Sequence, residues 1–226
     1  MSLNTILAVS ESVGVTDKRF IGQTMSRNQR ISTSEILSVQ PFGFEMKPNS
    51  YLLLSQNKAL LSSLRTVDRE YESYLNFGST GWWNYIAYQG DMDVPDLIDC
   101  QYQTSSANKT IVLGNLPSIP STDYIVKTGD YLQIDRYAYI ATADVQRGAG
   151  STVNIPVHRT IMTTLAAPMD AVIGQYGTTQ SLGGNTYIGI TFPVILTEYP
   201  NYTLIPMTND SFIAWSGTFK AIEAVL

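Results

Sequence analysis

Apolar positions along the chain repeat mostly every second residue, the spacing that places side chains on one face of a β-strand. From Ser34, the run Ile36-Leu37-Ser38-Val39 leads into Pro41, after which Phe42, Phe44 and Met46 keep one parity. That pattern predicts a long strand with an irregularity at Gln40-Pro41, because proline lacks the ladder donor. Trp82-Trp83-Asn84-Tyr85-Ile86-Ala87-Tyr88 follows Gly78-Ser-Thr-Gly81 and predicts a bulky aromatic strand ending at Gly90. Tyr137, Tyr139, Ala141 and Ala143 alternate, as do Val153, Ile155 and Val157, and the turn residues Arg147-Gly-Ala-Gly-Ser151 between them predict a hairpin. Further strands are expected at 97–102, 109–113, 187–192, 195–199 and 203–207, with 212–226 as one long closing strand carrying a bulge.

One segment departs from this period. Between about 56 and 75, Leu60, Leu64, Val67, Tyr71 and Tyr74 recur at spacings of four and three while Arg65, Asp68, Arg69 and Glu72 fall elsewhere, predicting a single amphipathic helix against a sheet. Residues 1–33 are polar and weakly patterned and read as an N-terminal arm. Residues 34–226 read as one β domain, with an inset β subdomain at 108–165.

Composition narrows the function. Only 15% of residues are charged while 11% are aromatic, a balance that suits sheets with extensive contact surfaces. The formal net charge of -5 argues against affinity through phosphate neutralisation, which needs clustered Lys and Arg. The one basic cluster, Lys18, Arg19, Arg27 and Arg30, reads as arm contacts to solvent or to an acidic neighbouring subunit. Cys100 is the lone cysteine, which excludes an internal disulfide and a multi-thiolate metal site. The apolar start has no basic n-region and reads poorly as a signal peptide. No apolar run reaches the roughly eighteen residues of a membrane helix, so no membrane insertion is expected.

Catalytic constellations are hard to assemble from these residues. His158 is the single histidine, and no Gly-x-Ser-x-Gly elbow accompanies it. Phosphate-cradling glycine loops are missing. The acidic run Asp91-Met-Asp93-Val-Pro-Asp96-Leu-Ile-Asp99 lacks the calcium-loop glycine, with Asp96 in its place, and has Tyr102 where the bidentate Glu belongs; it reads as a solvated loop with a rigid proline. The expectation is a chain that is not an enzyme and holds no cofactor or metal. Trp82, Trp83, Tyr85 and Tyr88, with Trp215 and Phe219 near the C-terminus, are the candidate interface and packing residues. The rival reading of these rings is a β-sandwich carbohydrate- or receptor-binding module.

Three blocks resemble distal-tail and baseplate-hub proteins of tailed bacteriophages. They are 34–46 with the helix around Ser55-Gln56-Asn57-Lys58-Ala59-Leu60, the central Gly114-Asn-Leu-Pro117, Val126-Lys-Thr-Gly-Asp-Tyr-Leu-Gln-Ile134, Ile140-Ala-Thr-Ala-Asp-Val145 and Val153-Asn-Ile-Pro-Val-His-Arg159, and the closing 212–226. The resemblance implies a mainly β, tail-tube-like β-sandwich or split β-barrel with one flanking helix and a small β inset. It implies a structural subunit of the virion tail, made in the host cytoplasm. The expected partners are copies of itself in a ring, taken as a hexamer, and neighbouring tube, baseplate or spike proteins, with DNA only as passing cargo. Closed rotational symmetry would require a heterologous contact between copies.

Overall fold

The computed structural model describes residues 3–17, 21–25, 31–35, 40–66, 72–79, 84–162, 168–175 and 180–225. The protein is mainly β, with curled antiparallel sheets. Its chain divides into two compact units, one of residues 1–75 with 193–226 and one of residues 76–192.

In the first unit a short helix, α1 (Asn4–Ala8), buries Leu3, Ile6 and Leu7 and leads into β1 (Ser10–Thr16). A hairpin follows, β2 (Ile21–Met25) with β3 (Ile31–Glu35), and then β4 (Gly43–Pro48) and the two-residue β5 (Leu52–Leu53). The helix α2 (Leu54–Thr66) comes next, and β6 (Ser73–Asn76) leads out of the unit. The chain returns along β17 (Thr191–Glu198) and ends in β18 (Asn201–Met207), β19 (Asp210–Ser216) and β20 (Phe219–Glu223). One sheet has the order β1-β4-β20-β17-β6; another has the order β18-β19-β5. Alternation on β4 buries Phe44 and Met46 completely or nearly so, and Phe42 just before the strand is buried on the same parity.

The second unit carries β7 (Gln101–Ala107), β8 (Thr110–Gly114), β9 (Tyr124–Val126), β10 (Tyr131–Ile134), β11 (Tyr137–Ile140), β12 (Val145–Gln146), β13 (Val153–Pro156), β14 (Met169–Ile173), β15 (Gln180–Leu182) and β16 (Asn185–Tyr187), with the helix α3 (Val94–Asp99) before them. Six of these strands form an antiparallel sheet in the order β11-β10-β14-β7-β8-β13. Its two ends then meet. An antiparallel bridge joins Ala141 to Val157, with Thr142 N donating to Pro156 O at 2.9 Å and His158 N to Ile140 O at 3.0 Å. The sheet thereby curls into a barrel whose two end strands are joined at this short seam. Leu132, Ile134, Tyr139, Ile111, Leu113, Ile155 and Ile173 fill the interior as a packed core.

Several expectations change. The helix occupies Leu54–Thr66, and Ser73–Asn76, expected as its last turn, is strand; 67–71 lie outside the described residues. Residues 3–16 are not a projecting arm, because Leu3, Ile6 and Leu7 are buried and β1 is hydrogen-bonded to β4. The boundary expected after residue 33 falls inside β3, and the inserted unit spans 76–192 where 108–165 was expected. The expected hairpin of 137–143 with 153–157 is instead the seam of the barrel, since β11 pairs with β10 and β13 with β8. Asn84–Ile86 is a 3-10 turn within the expected aromatic strand, and Val94–Asp99, expected as loop and strand, is helical with Pro95 in its first turn. The long closing strand is two strands in different sheets, broken where Gly217 takes a φ of 114° that only glycine adopts readily.

Candidate functional site

The features that distinguish the first unit gather on its three-stranded sheet. Tyr202 lies opposite Trp215, and Leu204 opposite Ile213, which in turn faces Leu52; these side chains share one face. That face is covered in part, with Leu204 on the outer strand left 46% exposed. α2 packs on β19 and β5, burying Leu60 and Leu61, and Ile213 has no exposed surface. Between α2 and β18 runs a groove of about 280 Å³ lined by Leu54, Lys58, Leu61, Ser62, Tyr202 and Leu204.

The opposite face holds the row Ile205, Phe212 and Leu53, directly opposed across the three strands, with Thr203 facing Ala214 and Met207 facing Asp210. Ile205 is 52% exposed and Met207 44%, while Phe212, Ala214 and Leu53 are half-buried. Tyr51, 78% exposed, stands edge-on to the Phe212 ring at 6.3 Å between centroids. The single charge on this face, Asp210, is committed: its carboxylate accepts from Ser55 Oγ at 2.6 Å and from Ser211 N at 2.7 Å, and the Ser55 hydroxyl first of all holds its acidity below the usual carboxylate range. Apart from the Asp210 carboxylate at its end, this exposed sheet face is apolar, and such a patch suits contact with another surface.

The edge of this sheet is open as well. Among the described residues β18 pairs with β19 alone, so one side of its backbone offers hydrogen bonds to no other strand. Natural edges are guarded by lysine, by inward charges, by bulges or by proline, and of these β18 has Pro206. From Tyr199 to Asn209 the chain has no charged residue, and the register of β18 with β19 runs without a shift.

The aromatic candidates sort into different roles. Trp215 packs against Tyr202 and Phe219 at 5.3 Å in each case, and Phe219 is fully buried, so both belong to the covered side of the unit. The buried Trp215 Nε1 finds no acceptor among the described residues. Tyr85 joins the second unit's ring cluster with Phe77 and Tyr131, and the Tyr131 hydroxyl lies 2.6 Å from that of Tyr85. The half-buried Tyr88 hydroxyl donates to Ile125 O at 2.6 Å, and burial holds the phenol far above its ordinary value. Trp82, Trp83, Lys18, Arg19, Arg27 and Arg30 lie outside the described residues.

The remaining polar residues hold structure. Asp91 accepts from Tyr124 N at 2.8 Å and pairs with Lys127 at 3.1 Å, tying the acidic run to β9. Among the described residues no group of three or more His, Cys, Asp and Glu comes together as a metal site. His158 Nδ1 accepts from Ile140 N at 2.9 Å, which places the proton of the neutral ring on Nε2 and sets the histidine at the barrel seam. Cys100 is fully buried, and burial pushes its thiol up to about 12. Sequence reasoning passed over Ile205, Met207 and Phe212, although their alternation was visible: exposure of an apolar parity depends on which face a helix covers.

No protein-family model matches the sequence, and no curated protein matches it.

Proposed function

We propose that the chain is a non-enzymatic structural subunit of a bacteriophage virion tail, of the tail tip or baseplate hub, that works by assembling with copies of itself and with neighbouring tail proteins around the channel. The observation that carries this reading is the apolar row of Ile205, Phe212 and Leu53 on an exposed sheet face beside the β18 edge, a surface suited to cover by another protein. The central block from Gly114 to Arg159, which resembles tail proteins, adds support and forms much of the barrel. A net charge of -5 suits a subunit around passing DNA, because a surface that repels phosphate does not retain it.

Electron microscopy and multi-angle light scattering of the purified chain test the proposal, alone and with the tail proteins encoded beside it. Rings, stacks or partner-dependent assemblies are the expected result. A monomer that ignores every tail protein at tens of micromolar would overturn it.

A further inference from the structure

We propose that the groove between α2 and β18 receives the first turn of α3 from a neighbouring copy of the chain, with Val94 and Pro95 in the groove and the Asp93 carboxylate paired with Lys58. This inference rests on the self-assembly reading above and names one of its contacts. The two surfaces are different, as the heterologous contact of a closed ring requires.

The groove has an apolar floor and a charged rim. Leu54, Lys58, Leu61 and Ser62 lie at i, i+4, i+7 and i+8, so a single stripe of α2 forms one wall, and Tyr202 and Leu204 of β18 form the other. Leu61 is buried, whereas Lys58 and Ser62 are exposed, so the apolar floor opens to solvent beside one cation. Among the described residues the Lys58 ammonium makes no ion pair or hydrogen bond, and its charge reaches Asp210 only as the smallest of the effects on that carboxylate. A volume of about 280 Å³ falls just short of the roughly 300–1,000 Å³ of small-molecule sites, which suits a few side chains of a protein segment better than a drug-sized ligand.

An occupant that matches both parts needs an apolar side chain and an available carboxylate side by side on an exposed surface. Among the described residues Val94 is the one exposed large apolar side chain with an exposed carboxylate next to it in the chain. The fold of α3 presents the pair outward: Met92, Leu97 and Cys100 are taken into the core of the second unit, while Asp93, Val94 and Pro95 face solvent. Asp93 stands at the N-cap, where an aspartate ordinarily accepts from an N–H of the first turn. Here its side chain caps nothing and makes no other bond among the described residues, so the carboxylate is left for another group. Pro95 in the first turn stiffens the backbone, so Val94 is held ready with little conformational freedom to lose on docking. At a net charge of -5 the copies repel one another as wholes, which favours contact where a cation meets a carboxylate. An exposed ion pair adds little attraction of its own. Burial of the apolar side chains supplies the attraction, and the pair fixes the register.

Sedimentation velocity on the full chain tests the contact. Lys58→Glu and Asp93→Lys each set like charges against one another and are expected to weaken self-association by at least about tenfold, with far-ultraviolet spectra unchanged because both side chains are exposed. The double variant Lys58→Glu, Asp93→Lys restores the pair with its signs exchanged and is expected to recover the association of the parent protein. Ser62→Cys and Val94→Cys, mixed and treated with a short bis-maleimide, are expected to give a covalent heterodimer that neither gives alone, since Cys100 is fully buried. Self-association unchanged in either single variant, a double variant that fails to recover, or a parent chain that does not self-associate at tens of micromolar would each overturn the contact. If rings form under such a result, the groove contact is wrong and the assembly reading stands. If a tail protein binds in a way weakened by Lys58→Glu and indifferent to Asp93→Lys, the groove belongs to that protein and the contact between copies is overturned. If the charge reversals and their double variant behave as expected while no tail protein ever joins, the contact holds and the tail reading falls.

Discussion

Gln133 shows how a single polar side chain extends the backbone network. It is buried in β10, yet its amide serves as a surrogate peptide: Nε2 donates to Thr191 O at 2.8 Å, and Oε1 accepts from Thr191 N at 2.7 Å. Gln133→Leu keeps the volume and strands both groups of Thr191, so it is expected to lower unfolding stability by about 2–4 kcal/mol in urea titration. The carboxylates divide by the sign of their effect. Asp91 and Asp144 are held below the usual range, first by the backbone N–H groups of Tyr124 and Thr128 respectively, and Asp210 first by the Ser55 hydroxyl. Their contribution to stability is complete above the ordinary carboxylate value and is lost as pH falls through the lower folded values. Asp130 has the opposite sign: burial raises it, so its ionised form costs stability at neutral pH and the cost is relieved on acidification. The urea midpoint of the triple variant Asp91→Asn, Asp144→Asn, Asp210→Asn is expected below that of the parent protein at pH 7, with the gap closing as pH falls below about 4.

At the scale of elements, the barrel seam and the helix decide what is left open. The seam depends on a few contacts between strand ends, among them the side-chain bonds from the Arg159 guanidinium to Ala138 O and from Ile140 N to His158 Nδ1. His158→Ala leaves that N–H without its acceptor and is expected to cost about 1–3 kcal/mol, with faster hydrogen exchange at the Ile140 amide as the local reading. The helix α2 has the complementary role of covering one face of the β18-β19-β5 sheet. Leu60→Ala is expected to destabilise the protein by about 2–5 kcal/mol and to raise dye binding to exposed apolar surface. Both elements were partly legible. The three-to-four spacing of Leu60 and Leu64 located the helix, but its C-terminal limit was misjudged because Tyr74 fits a helical stripe and a strand equally well. The seam strands were seen as strands and joined to each other too simply, since a glycine-rich turn signals a reversal of direction and not the identity of the neighbour.

For the whole molecule, chain continuity makes a direct prediction. The second unit is one uninterrupted segment, and its ends lie together, with Asn76 Nδ2 2.6 Å from Thr191 Oγ1. Residues 76–192 made alone are expected to fold and to unfold in one cooperative transition, because the curled sheet encloses its own core. Calorimetry with equal calorimetric and van't Hoff enthalpies is the check. The first unit, by contrast, is made of two chain segments and carries the open edge and the bare sheet face. Contacts between copies are therefore expected to be disrupted by changes at Ile205, Met207 and Phe212, and to tolerate changes on the exposed barrel strands.

The sequence by itself determined the β character, the single long helix and the scarcity of charge, because these follow from residue type and from periods of two and 3.6 read within a few neighbours. It also located the apolar parity of β4 and the strand at 203–207. Only the tertiary structure decided that the six-stranded sheet closes, that the closing segment is split between two sheets at Gly217, and that α2 covers one face of the β18-β19-β5 sheet and leaves the other to solvent. Strand pairing joins residues far apart in the chain, and local alternation tells which side chains share a face without telling what will lie against it.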